Sequence, residues 1–222
     1  MADQMRCLGF DFTEEGSFER FLEHYWEQKT VLDLTAGLYL RLDAGAGIQC
    51  VLSMDRDTQE VLDWDMHFAS PLRSGCCLDG ELSLDPAGQS GTLRVLMDPG
   101  GEELPLTASV PLLASWEDRD IGAPGLIQVA AYAERISLLG DAESFHGDPE
   151  DNTARFTGTV TAAERLTNPW SRKDFLHLTV SCRGFSLDVL ADAEELPRLP
   201  ARGTLITADA VLTAQVESGV TE

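Results

Sequence analysis

The 222-residue sequence predicts a mainly β protein in two parts: an acidic α+β domain over 1–148, with an antiparallel sheet and one main helix, and a small all-β domain over 153–222. Three observations lead there. A single stretch near the N-terminus has helical periodicity. From Leu38 onward apolar and polar residues alternate in short runs broken by Gly, Pro and Asp. The charge balance also changes: residues 1–150 carry 9 basic and 28 acidic side chains, a balance of −19, whereas residues 151–222 carry 7 and 10, a balance of −3.

Met5–Phe12, MRCLGFDF, is an apolar-rich strand candidate that runs into the helix-start cluster Thr13 to Ser17. In the helix that follows, Phe18, Phe21, Leu22, Tyr25 and Trp26 recur at i, i+3, i+4, i+7 and i+8, while Glu19, Glu23 and Glu27 lie elsewhere on the cylinder. That is the pattern of a helix laid on a core. Thr13 or Ser17 is its expected N-cap, because a hydroxyl there accepts from an otherwise unpaired amide. Strands are expected at Leu38–Asp43, Ile48–Met54, Val61–Phe68, Gly80–Asp85, Thr92–Met97, Pro105–Leu113 and Gln128–Leu139. Gly45-Ala46-Gly47, Asp55-Arg56-Asp57 and Asp98-Pro99-Gly100-Gly101 supply turn chemistry between them, so an antiparallel meander is expected. In Val61–Phe68 the set Leu62, Trp64, Met66 and Phe68 alternates with Asp63, Asp65 and His67, which predicts one buried and one wet face. Trp116–Gly125 and Asp141–Asn152 interrupt the alternation. The second coincides with the change in charge and is the expected domain boundary.

Beyond that boundary five strands are expected: Ala154–Leu166, Asp174–Cys182, Phe185–Ala191, Thr204–Ala208 and Ala210–Val216, with a short helical turn at Ala193–Leu196. Leu176, Leu178, Val180 and Cys182 share one face of the second strand; Phe175, His177 and Thr179 share the other. This order, with a helical turn between the third and fourth strands, resembles the OB fold, a five-stranded barrel. The resemblance covers the C-terminal segment alone. It implies a binding surface bordered by the loop between the first two strands, and no particular ligand. That loop, Thr167–Lys173, places Trp170 beside Arg172 and Lys173, and an aromatic face next to two cations suits stacking on a base or a sugar. The alternative is a turn whose Trp caps the barrel or packs on the first domain. Trp170, Arg172, Lys173, His177 and Thr179 form the candidate ligand-binding set.

Net charge of −22 repels phosphate backbones, which disfavours nucleic acid, and no apolar run has the length of a membrane helix. The N-terminus lacks a basic segment followed by an apolar one, and the five cysteines are odd in number with no CxxC pair. A cytosolic, bacterial protein with reduced thiols is expected. None of His24, His67, His146 and His177 stands four residues from another, so zinc templates fail. Asp55–Glu60 starts like a calcium loop but lacks its glycine and its bidentate glutamate. No GxSxG elbow or phosphate loop occurs.

No catalytic residue, metal site or cofactor is therefore assigned. The expected function is that of a binding or interaction protein without catalytic activity. One alternative is an acidic inhibitor or immunity-type protein covering the basic surface of a toxin or nuclease. Another is an enzyme with an unfamiliar site, whose mark would be a pocket with His67 or His177 beside carboxylates. The expected partners are a protein with a basic surface or a second copy of the chain.

Overall fold

In the computed structural model, which describes residues 2–10, 12, 14–34, 37–79, 83–84, 91–97, 104–111, 122, 124–138 and 142–217, strands dominate. The helices are α1 (Ala2–Cys7) and α2 (Ser17–Tyr25), the latter extended by a 3-10 turn at Trp26–Gln28. The strands are β1 (Thr30–Leu34), β2 (Gly37–Gly45), β3 (Ile48–Met54), β4 (Val61–Phe68), β5 (Ser74–Leu78), β6 (Ser83–Leu84) and β7 (Gly91–Met97). They continue as β8 (Leu104–Val110), β9 (Pro124–Ser137), β10 (Ser144–Gly147), β11 (Thr153–Thr167), β12 (Asp174–Cys182), β13 (Phe185–Asp192) and β14 (Leu205–Glu217).

Strands β1 to β4 form an antiparallel meander in chain order, as the turn chemistry predicts. The other ten form one sheet that closes twice. β11, β12, β13, β9 and β14 make a ring because β14 pairs with both β9 and β11. β9, β14, β8, β7 and β5 make a second ring because β9 also pairs with β5. The two rings share the long antiparallel pair β9–β14.

The first ring follows the order of an OB-type barrel, with one substitution. Its fifth member is β9, which precedes the other four in the chain and pairs in parallel with β13. The expected fourth and fifth strands, Thr204–Ala208 and Ala210–Val216, are instead one strand, β14, with a register shift between Asp209 and Ala210. The helical turn at Ala193–Leu196 is a hydrogen-bonded turn. Sheet pairing thus crosses the expected boundary at 148–153, and the segment Asp141–Asn152 holds a short strand, β10, paired with β11.

Alternation sets the core. Ile127, Val129, Ala131 and Ala133 of β9, Leu176, Leu178 and Val180 of β12, and Leu187 and Val189 of β13 fill the ring interior. Their neighbours Ala130, Tyr132, Phe175 and Leu190 point outward and are covered by a second apolar layer from the helices and the β1–β4 sheet. A strand buried on both faces takes small or apolar residues throughout, and β9 does so from Ile127 to Ala133 apart from Gln128. Gly158 permits the closest approach inside the ring, since a Cβ there would stand 2.5 Å from Val180 Cγ1 and 2.7 Å from the Ser181 carbonyl oxygen.

Several local expectations are corrected. Met5–Phe12 is not a strand: Ala2–Cys7 is helical and Gly9 turns the chain with φ +72°, which puts Leu8 and Phe10 into the second apolar layer. The N-cap of α2 is Gly16 in the left-handed region, with no side-chain cap; Ser17 is the first helical residue, and Thr13 lies outside the described residues. β1 and β5 were not expected as strands. Of Gly80–Asp85 only Ser83 and Leu84 are described, and Trp116 with most of Trp116–Gly125 lies outside the described residues. On β4 the predicted wet face is wrong at His67, which is buried, while Leu62 on the predicted buried face is 54% exposed. β4 is the edge of its sheet: its start projects past the cover, and its end is enclosed on both sides.

Candidate functional site

Two polar constellations stand out, and both sit where the β1–β4 sheet meets the rings. The first centres on His177. Asp188 of β13 and His177 of β12 point outward from the first ring, beneath the second layer, and Asp188 is only 1% exposed. His177 Nε2 lies 2.8 Å from Asp188 Oδ1, and His177 Nδ1 lies 2.9 Å from Glu164 Oε1. Ser70 Oγ donates to Asp188 Oδ2 at 2.5 Å, and Gln128 Nε2 donates to the same oxygen at 2.8 Å and to the Phe68 carbonyl at 3.1 Å. The Phe68 ring packs on the imidazole at 4.7 Å.

Two carboxylates on two ring nitrogens require two N–H donors, which only the imidazolium provides. Burial opposes that charge, but the hydrogen bonds and charges of Asp188 and Glu164 outweigh it and hold the His177 pKa above its ordinary value. The same arrangement leaves neither nitrogen for a substrate, and the Ser70 hydroxyl is bonded to Asp188 on the side away from the imidazole-bound oxygen. The cluster pins β12, β13, β9 and the segment after β4 together.

The second constellation is a cleft of about 440 Å³ along the seam, lined by Gln4 of α1, Asp63, Trp64 and Asp65 of β4, Gly91 and Thr92 of β7, Ser109 and Val110 of β8 with Pro111, Asp151, Asn152 and Thr153 before and at the start of β11, and Val211 and Thr213 of β14. This is the size range of small-molecule sites. Burial, helped by the neighbouring charge of Asp63, pushes the Asp65 pKa up to about 7, against the opposing effects of the Met66 amide, the amino-terminal charge and the Gln4 side chain. Gln4 Nε2 lies 3.5 Å from Asp65 Oδ1 and also donates to the Met66 carbonyl. Trp64 borders the cleft with its ring stacked on Phe18 at 4.1 Å. Asn152 Nδ2 donates to Ser109 Oγ at 2.6 Å, tying the two walls.

The five residues singled out in the sequence are divided between neighbourhoods. Trp170 is half-buried and packs on α2, edge-on to Phe21 at 5.8 Å and against His24 at 5.6 Å and Tyr25 at 6.4 Å. Its loop is clamped by Asn168, fully buried, which donates to the Leu8 carbonyl at 2.8 Å and accepts from the Trp170 and Ser171 amides at 2.9 and 3.1 Å. Arg172 and Lys173 are exposed, Arg172 at φ +62°. His177 belongs to the cluster described above. Thr179 is half-buried beside β11, where its carbonyl accepts from Thr161 Oγ1 at 3.0 Å. His67 is buried with no carboxylate bonded to it among the described residues, its pKa depressed to about 4 by burial and by Arg41.

Glu164, Ser70, Gln128 and the cleft residues escaped the sequence because they converge from separate strands. The one legible signal was the run Asp63-Trp64-Asp65 in β4. Among the described residues no group of three His, Cys, Asp or Glu is placed to hold a metal ion, and no helix is long and apolar enough to cross a membrane. No protein-family model, curated protein or solved structure matches the chain.

Proposed function

We propose that this chain is a non-catalytic cytosolic binding protein whose partner carries a basic surface. One observation carries the reading: a net charge of −22, from 38 acidic against 16 basic side chains, several of the latter already paired within the molecule. Arg6 pairs with Asp192 and Glu195, Arg135 and Arg155 both pair with Asp209, and Arg20, Arg56 and Arg94 pair with Glu14, Asp33 and Asp79. What remains is a field that steers cations and repels anions. An acidic inhibitor of a toxin or nuclease is the special case in which the basic partner is itself active.

The test is titration against a panel of basic proteins and against poly-L-lysine, at low and physiological salt. Saturable binding to particular proteins that survives physiological salt supports the reading. Binding of poly-L-lysine alone, vanishing with salt, overturns it. A second reading, an enzyme using a carboxylate pair, is favoured by Asp65 beside Asp63 in the cleft, where a carboxyl that titrates near pH 7 suits general acid–base work. Substrate turnover abolished by Asp65→Asn in an otherwise stable protein would establish it.

A further inference from the structure

The sheet of β1 to β4 has two edges, and the molecule treats them differently. Near the end of β4 the outward backbone groups are capped by side chains. The Phe68 amide donates to the Tyr132 hydroxyl at 2.8 Å, its carbonyl accepts from Gln128 Nε2 at 3.1 Å, and the Met66 carbonyl accepts from Gln4 Nε2. β1 has only β2 beside it, and among the described residues no hydrogen bond reaches the outer edge of Thr30 to Asp33. Such an edge is a row of unpaired donors and acceptors that a further strand satisfies. Apolar surface accompanies it. Val31 stands opposite Leu40 and so continues the face on which Leu38 and Leu40 enter the second apolar layer. Yet it is 56% exposed, more than any other large hydrophobic side chain among the described residues.

The residues of the edge select the strand that fits it. Lys29, already extended at φ −64° and ψ 140°, shares its face with Val31 and Asp33, so that face reads cation, apolar, anion. An antiparallel copy of the same run, related by a two-fold axis through Val31, sets Lys29 against Asp33 on both sides and Val31 against Val31. An axis through Leu32 would set Val31 against Asp33, and one through Thr30 would set it against Lys29, so the pattern favours a single register. We propose that β1 is a self-association edge, where a second copy of this chain pairs antiparallel about Val31 and extends the four strands into one sheet of eight. Asp33 accepts from Arg56 Nη2 at 2.9 Å, but its side chain is 74% exposed, which leaves room for a second cation. Lys29 rests on the Trp26 ring at 4.8 Å and exchanges that exposed contact for Asp33 of the second copy. The net charge of −22 on each copy opposes association, so pairing strengthens as salt screens it. This inference is independent of the reading of a basic partner.

The experiment is sedimentation velocity of the full chain from about 1 μM to about 500 μM in about 0.15 M salt, with circular dichroism of each variant to confirm that it is folded. The expected result is a reversible monomer–dimer equilibrium. Val31→Lys places like charges face to face at the axis and should weaken the dimer by at least about tenfold. Lys29→Asp and Asp33→Lys, made singly, each set like charge against like charge and should weaken it as well. The double change Lys29→Asp with Asp33→Lys restores opposite charges across the pair and should restore the dimer, which a merely structural role for either residue would not do. A chain that stays monomeric over the whole range, or a dimer equally tight in Val31→Lys, overturns β1 as an interface, whether or not basic proteins bind. Single changes that weaken the dimer without rescue by the double change overturn the pairing about Val31.

Discussion

At the scale of single residues, the decisive contrast is between His177 and Trp170. His177 is held by one buried carboxylate and one exposed carboxylate, with side-chain exposures of 1% for Asp188 and 58% for Glu164. The two partners are not equivalent. Removing His177 leaves Asp188 charged and buried, so His177→Ala should destabilise the protein by about 3–5 kcal/mol, whereas Glu164→Gln, in solvent, should cost under about 1 kcal/mol. Urea denaturation of both variants checks this, and equal effects would refute the buried-pair account. Trp170 is half-buried on Phe21, so Trp170→Ala should cost about 2 kcal/mol, roughly half the penalty of a full aromatic truncation. Acrylamide should quench its emission partially in a protein lacking the other tryptophans, and full quenching would show that it does not pack on α2.

The informative element is β4, which carries two titrating groups of opposite sign. Asp65, with a folded pKa of about 7 against about 3.9 unfolded, favours the native state fully below the unfolded value and loses that stability as pH rises to 7. His67, at about 4 folded against about 6.5 unfolded, favours the native state fully above the unfolded value and loses that stability as pH falls to 4. Between those limits the two slopes oppose each other and nearly cancel. Above about pH 6.5 only losses remain, because Asp65 completes its ionisation and His177, whose pKa is raised, gives up its proton. Stability should therefore be flat from about pH 4.5 to 6.5 and fall on the alkaline side. Urea midpoints across this range test the prediction. Asp65→Asn should uncover a loss on acidification from His67, and a profile unchanged by that variant would contradict the assignment.

For the whole molecule, the shared pair β9–β14 is the structural axis. A fragment 153–222 contains β11 to β14 but not β9, so β13 and β14 would each expose an edge where β9 belongs, and the apolar outer face would lose its cover. That fragment should lack a cooperative thermal transition by circular dichroism, while adding it to a separately made 1–152 should restore strand signal. A sharp transition in the isolated fragment would show that the ring closes without β9.

Local pattern was enough for much of this. The alternation in Ile48–Met54, Val61–Phe68 and Asp174–Cys182 placed three strands at their observed limits, and the i, i+3, i+4 spacing of Phe18, Phe21, Leu22 and Tyr25 found α2, because these signals repeat within a few residues. A five-membered ring was legible from strand order; which strand completes it was not, since pairing of β9 with β13 joins residues about sixty positions apart and leaves no mark in either run. Burial of His67 and Asp188 was hidden for the same reason. Alternation tells which residues share a face, but only the layer laid on that face decides whether it is wet. The partners of His177, drawn from β11, β13 and the segment after β4, are brought together by tertiary structure alone.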